Sequence, residues 1–355
     1  MATLAELLRL KEAENPQERA FIGYPQISNR PRQEGAVSGF ITGATGLPAK
    51  ENLSVLNPND VAYMQGQNYG EMANIATMAA GVPALLRAMP KTMAKAAPVK
   101  LDKFGQELEN LRINEYPSLV KKYSLLQDSE GGKVLNTDLA RELSDAYTKN
   151  RTLSASVHEP SSAFVKQLYA EKLAQPVTEG SRVLFTAGGT GAGKTSSLAA
   201  YPDLRKNAEM IYDTNMNKLE SARKKIDQAL DAGRQIDLVY TYRDPVEALV
   251  EGSLTRAMRM KKELGSGRTV PLKEHIKTHT GSREVIGQLK EIYGDNPNVR
   301  IGIIDNRYGR ANPKVANLED LPVLDAKTIE KDLRNALEEQ YKAGRIDKDI
   351  YESSK

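Results

Sequence analysis

Eight consecutive residues, Gly188-Gly189-Thr190-Gly191-Ala192-Gly193-Lys194-Thr195, satisfy the pattern G-x-x-x-x-G-K-[ST] at every fixed position. Glycines in such a run let backbone N–H groups turn inward on a polyphosphate, and a helix starting behind them adds its positive end. Lys194 is then placed for the β- and γ-phosphates and the Thr195 hydroxyl for Mg²⁺, with Ser196 closing the binding run. The flanks suit the motif. Val183-Leu184-Phe185-Thr186 reads as a short buried strand, and Thr195-Ser196-Ser197-Leu198-Ala199-Ala200 can start a helix. The chemistry implied is binding of a nucleoside triphosphate.

A phosphate loop needs partners at the same sheet edge, and the following sequence supplies candidates. Asp213 ends the apolar run Met210-Ile211-Tyr212, where a carboxylate can serve Mg²⁺ or a substrate hydroxyl. Asp244, before Pro245, is read first as a helix cap. Asp305, before Asn306, is either a second acidic ligand or a turn residue. Arginines offset the charge that builds on a transferring phosphoryl group. Arg256 falls within an expected helix, and Arg268 sits in Gly265-Ser266-Gly267-Arg268-Thr269, as a mobile finger or an exposed salt-bridging residue. His275 and His279, four apart, could ligate zinc but lack a third ligand of the usual type; substrate contact or surface placement fits them better. His158 is assigned a structural role near Pro160.

These residues require elements to carry them. Beyond the loop, strands are expected over 209–212, 236–242 and 298–305, with helices over 218–232, 245–264 and 283–293. That β-α-β rhythm implies a mostly parallel sheet covered on both faces, with ligands beyond the carboxyl ends of its strands. Upstream, helices are expected over 106–126, with a break near Pro117, over a segment opening at Asn136 or Thr137, and over 161–174. A helix over 328–343 ends at Gly344 and leaves a polar tail. Charged residues thin out in the first hundred positions, which hold 18 of the chain's 96, so residues 1–100 read as an extended or partly helical arm. Within that arm 70–97 could form an Ala/Met-rich helix, and 39–46 is a glycine-rich loop lacking the Lys-Thr of a phosphate site. Residues 101–325 form the catalytic domain and 326–355 a C-terminal helix and tail.

Composition closes off several classes. Lys and Arg total 50 against 46 Asp and Glu, a net +4 too mild to signal nucleic acid. The absence of cysteine removes disulfides and thiolate metal sites. The longest charge-free apolar stretch, 72–86, is shorter than the roughly 18–20 residues a spanning helix needs. The first residues lack a signal-peptide pattern, so a cytoplasmic location is expected.

From about 137 to 310 the chain resembles the zeta-toxin family of P-loop kinases. Four stretches carry the resemblance in order: the loop 188–195; Ile211-Tyr212-Asp213-Thr214-Asn215-Met216-Asn217; Gly252-Ser253-Leu254-Thr255-Arg256; and Gly267-Arg268-Thr269-Val270-Pro271-Leu272-Lys273-Glu274-His275. The resemblance implies a P-loop kinase fold using ATP and Mg²⁺ to phosphorylate a hydroxyl of a nucleotide sugar, UDP-N-acetylglucosamine in the family, under restraint by a small antitoxin. It makes Arg256 and Arg268 phosphate ligands. Two departures stand out. The family's strand bearing a general-base aspartate, placed between the loop helix and the acidic strand, has no room in 201–208. Asn215 and Asn217 replace the hydroxyl and arginine residues that follow the family's acid. Lys194, Asp213, Arg256 and Arg268 are the expected catalytic set, with Thr195 and Asp213 on the metal. The alternative is a nucleotide-binding, weakly hydrolytic assembly or virion-associated protein of a phage or mobile element, with the arm as its working part.

Overall fold

The computed structural model describes residues 100–309 and 312–355. The N-terminal arm, with its expected helix over 70–97 and loop over 39–46, lies outside the described residues. Six strands form one sheet: β1 (Val134–Asn136), β2 (Arg182–Ala187), β3 (Met210–Asp213), β4 (Gln235–Tyr242), β5 (Val299–Asp305) and β6 (Lys314–Ala316). Their order is β1-β3-β2-β4-β5-β6. The first five are parallel, and β6 runs antiparallel to β5. Every residue of β2 and β4 is buried, as expected where helices cover both faces of a parallel sheet.

Alternation along each strand sorts the apolar residues onto two faces. Val183, Phe185, Tyr212, Leu238 and Tyr240 join the larger core, while Leu184, Ile211, Val239 and Ile304 join the smaller one. The larger core is covered by helices α1 (Lys103–Asn114), α2 (Tyr116–Ser124), α5 (His158–Leu173) and α8 (Leu219–Asp231), joined by the C-terminal half of α11 (Leu272–Tyr293). Short helices α3 (Thr137–Ala140) and α4 (Asp145–Lys149) link β1 to α5. The smaller core is closed by α6 (Lys194–Ala199) and α7 (Pro202–Asn207), which bring Leu198 and Leu204, with Tyr201 between them. A third cluster packs Leu249, Leu254, Ala257 and Leu272 against Ile329, Leu333, Leu337 and Ile350 of the C-terminal helices α12 (Ala326–Lys342) and α13 (Lys348–Ser354) and against Ile346 between them. Among the described residues no helix is long and apolar enough to cross a membrane.

Four features depart from the sequence-based expectation. β1 is three residues long, too short for any periodicity, yet it completes the sheet edge. Between α6 and β3 the chain holds only α7, and β3 pairs on its outer side with β1, from upstream of the phosphate loop. The helix expected over 245–264 is three pieces: α9 (Pro245–Glu247), a wide π turn (Ala248–Leu254) and α10 (Thr255–Leu264). The helix expected from 283 starts eleven residues earlier, at Leu272. The supposed polar tail holds α13, docked through buried Ile346 and Ile350 and through Lys261, which pairs with Asp347 at 2.7 Å and Asp349 at 2.6 Å.

One buried ionic group knits three strands at the edge away from the phosphate loop. The Asp237 carboxylate accepts from Arg182 Nε at 3.1 Å and from Arg300 Nε and Nη2 at 2.7 and 2.8 Å. Removing one member of such a cluster leaves the others buried and uncompensated. Asp237→Ala should therefore destabilise the domain by about 3–5 kcal/mol, with Asp237→Asn milder, as measured by urea unfolding.

Candidate functional site

The phosphate loop joins β2 to α6 and has no regular structure of its own, so its shape depends on what surrounds it. Gly191 adopts φ +76°, and a Cβ there would collide with the Ala248 carbonyl of the π turn. Gly252, in that turn, faces Gly191 so closely that a side chain at 252 would push the loop away. The widened turn thus accommodates the loop, a setting in which π turns recur. On the other side, Asn306 is fully buried and its Nδ2 donates to the Ala192 carbonyl at 2.8 Å.

The first turns of α11 supply the strongest brace. Thr190 N donates to Thr278 Oγ1 at 3.2 Å, and His279 Nε2 donates to the Thr190 carbonyl at 2.9 Å. The His279 ring lies against Gly189, filling the space a side chain there would need. His275 Nε2 donates to the Pro245 carbonyl at 2.9 Å, and the two imidazoles sit with centroids 4.5 Å apart. A carbonyl only accepts, so each Nε2 carries the proton. Both rings are buried, which corrects the surface placement expected for them, and each commits its Nε2 to a backbone carbonyl. Among the described residues no group of three or more His, Asp or Glu could hold a metal ion. Burial holds His275 at about 4 and His279 well below the usual histidine value.

Asp213 ends β3, in register with Asn136 of β1 and Thr186 of β2. It accepts from the Thr186 hydroxyl and from Asn136 Nδ2, both at 2.6 Å. Asn136 works in two directions, since its Oδ1 also caps α3 through Asp138 N and Leu139 N. Lys194 Nζ donates to Asn215 Oδ1 at 2.8 Å and more weakly to the Gly188 carbonyl at 3.4 Å. Burial lowers its pKa, the charges of Asp213 and Asp138 counteract that, and Arg256 and Arg268 reinforce it. Lys194, Asp213, Arg256 and Arg268 therefore share one electrostatic field.

Asp138, just past the end of β1, is the residue that reading the sequence missed. Arg268 forms a close ion pair with it, and Arg141 Nη1 lies 2.8 Å away. The two guanidinium groups hold the Asp138 carboxyl well below the usual carboxylate range. Its side chain keeps 48 % of its surface exposed, so it borders open space while the arginines behind it are buried. Arg268 is thus neither exposed nor a free finger. Its loop is tied down by Arg151 N donating to Ser266 Oγ at 3.0 Å and by Thr269 Oγ1 donating to the Ser353 carbonyl at 3.3 Å. Arg256 is brought to the same cluster by the π turn and α10, and burial followed by the like charge of Arg268 lowers its pKa to about 10. His158, assigned to structure near Pro160, accepts on Nδ1 from Arg141 Nη2 at 2.8 Å and so steadies this arginine. The only sequence signal for these residues is the cap pattern Asn136-Thr137-Asp138, which says nothing about a partner 130 residues away.

The remaining candidates fall outside the cluster. Asp244 caps α9, accepting from Val246 N at 2.9 Å and Glu247 N at 3.2 Å. Asp305 is held by Arg307, whose Nη2 lies 2.7 Å from Oδ2, and accepts from Arg307 N in a turn. Thr195 is exposed at the start of α6, and Ser196 Oγ donates to the Gly193 carbonyl at 2.9 Å.

A mostly parallel sheet flanked by helices, with a glycine-rich loop leading from a central strand into a Lys-Thr helix start, defines a P-loop kinase-like α/β domain. Within it, residues 203–311 match the family model for the zeta toxin. The matched span takes in Asp213, Arg256 and Arg268, starts just after the phosphate loop, and leaves out Asp138 and the C-terminal helices. No curated protein matches the chain.

The buried imidazoles make the brace sensitive to acid. A histidine whose folded pKa lies below its unfolded value of about 6.5 binds its proton more readily when unfolded, so stability falls as pH drops through that window. Between pH 6.5 and about 4, His275 alone should remove up to about 3 kcal/mol. Thermal melts over that range should fall less steeply for His275→Gln than for the wild type.

Proposed function

We propose that this domain transfers the γ-phosphoryl group of ATP to a hydroxyl of a small nucleotide-sugar-like acceptor. The observation that carries the reading is the phosphate loop leaving β2 with Lys194 tied to Asn215, while Asp213 sits at the same sheet edge in register with Thr186 of β2 and the Arg268–Asp138 ion pair lies just past the end of β1. Lys194 and the amides of 188–196 hold the phosphates. Thr195 and Asp213 fit Mg²⁺: the hydroxyl is exposed, and carboxylate oxygens that already accept one hydrogen bond keep further lone pairs. Bound there, Mg²⁺ would supply charge neutralisation to the polyphosphate.

In the transfer, the acceptor oxygen bonds the γ-phosphorus as the bond to the β,γ-bridging oxygen breaks, ADP leaves, and the hydroxyl proton passes to Asp213. Such transition states are loose, so orienting the hydroxyl counts for more than a strong base. Arg256 and Arg268 neutralise the equatorial oxygens. Asp138 is ill suited to taking a proton, because two guanidinium groups stabilise its anion. Its role is to hold Arg268 and Arg141 in place, as Asn215 holds Lys194. With Asn215 and Asn217 where the family carries hydroxyl and arginine residues, the acceptor side favours an altered acceptor within the same chemical class.

The test is incubation with γ-labelled ATP, Mg²⁺ and a panel of nucleotide sugars. Label should appear on an acceptor with the wild type and vanish with Lys194→Ala, while Arg268→Ala should lower kcat about 10²- to 10³-fold, the scale for losing one transition-state donor. Transfer no greater than that of Lys194→Ala would refute the reading, and release of labelled phosphate without acceptor labelling would leave a hydrolase.

A further inference from the structure

Arg268 leaves the loop 265–271 that joins α10 to α11. A connecting loop is the more mobile part of a scaffold, so the place of its arginine depends on what the loop rests against. Those supports come from both directions along the chain. From upstream, Arg151 N donates to Ser266 Oγ at 3.0 Å, and Asp138 pairs with the guanidinium itself. From downstream, α13 supplies the rest. A Cβ at Gly267 would strike the Ala257 carbonyl of α10 and come within 3.0 Å of Ile350 Cδ1, so the backbone just before Arg268 is packed tightly against both helices. Thr269, just after the arginine, donates through Oγ1 to the Ser353 carbonyl at 3.3 Å. The neighbours of Arg268 on either side thus bear on one seven-residue helix.

A helix this short does not persist alone. It is docked by Ile350, 2 % exposed, by buried Ile346 just before it, and by the pairs of Lys261 with Asp347 and Asp349. Lys261 belongs to α10, the helix that carries Arg256, so α13 touches the mounts of both arginines. It does so from outside the span 203–311 that matches the family model.

We infer that α13 is the strut that positions Arg268, with Ile350 as the positioning residue. The inference rests on the phosphoryl-transfer reading and brings into it a part of the chain that reading does not use. Ile350 acts through the loop backbone and not on the reacting atoms. A guanidinium stabilises the transferring group only where it meets the developing charge, and a misplacement of about 1 Å can cost about 10²-fold in rate. ATP itself is held by the loop amides and Lys194, so a loosened strut lowers kcat and spares KM for ATP.

The experiment combines label transfer with hydrogen–deuterium exchange on the full chain. Ile350→Val removes Cδ1 and little else, Ile350→Ala removes most of the contact, and Ile350→Leu keeps the volume. Relative to the wild type, kcat should fall severalfold in Ile350→Val and about 10- to 10²-fold in Ile350→Ala, with KM for ATP changed by less than about twofold. Ile350→Leu should recover most of the rate. In an Arg268→Ala background Ile350→Ala should cost less than about twofold more, because the group it positions is gone. Exchange in Ile350→Ala should quicken at amides 265–270 and in α13, and not in β2 or β4. Wild-type kcat in Ile350→Ala, full multiplication of the two losses in the double variant, or exchange quickened throughout the domain would each overturn the strut. Exchange needs no turnover. If the wild type transfers no label, the kinase reading fails, and the strut is then decided by amides 265–270 alone: quickened exchange there supports it and unchanged exchange refutes it.

Discussion

Lys194, Arg256, Arg268 and Arg141 carry four positive charges toward one end of a sheet, and most of the architecture can be understood as what keeps them there. Gathering like charges in a partly buried place is unfavourable, and the effect is visible in Arg256, whose pKa is lowered by burial and by its neighbour Arg268. Two carboxylates offset the repulsion. Asp138 pairs directly with Arg268 and Arg141, and Asp213 acts on Lys194 through space. A polyphosphate would bring several negative charges to the same place, so the protein is arranged around a charge deficit that an anionic ligand can fill.

Charge alone does not hold geometry, and each member of the cluster is fixed by a different piece of the chain. The phosphate loop rests on three supports: the π turn under Gly191, Asn306 beside Ala192, and the Thr278–His279 pair beneath Thr190. Arg256 and Arg268 belong to a unit whose apolar back, Leu249, Leu254, Ala257 and Leu272, is buried by the C-terminal helices. Asp138 comes from the opposite direction, on a strand that precedes the loop. Parallel strands put their carboxyl ends on one edge whatever their order in the chain, so an edge strand can be supplied from upstream as readily as from downstream. That geometric indifference explains how β1 occupies the place beside β3.

The brace also ties function to fold. Neutral, buried His275 and His279 link α11 to Pro245 and to the loop carbonyl of Thr190, so the shape of the phosphate site and the stability of the domain rest on the same hydrogen bonds. Asn136 has a similar double part, capping α3 while it positions Asp213. Substitution at such positions should disturb the site and the fold together, unlike substitution at Asp237, whose ionic group lies at the far edge of the sheet.

By itself the sequence determined the phosphate loop, the parallel α/β class, the strand ending in Asp213, the cap at Asp244, and the arginine segments that lie within the family match. These are local matters: fixed glycine spacing, apolar runs ending in an acid, and Asp-Pro at a helix start each carry their meaning within a few residues. Tertiary structure decided the rest. A three-residue strand has no periodicity to read, so β1 and with it Asp138 were invisible until pairing with β3 revealed them. The histidines four apart looked like a surface or ligand pair because spacing gives a shared helix face and not the neighbour that buries it. Arg268 looked exposed for the same reason, since its partner lies 130 positions upstream and only folding brings the two charges together.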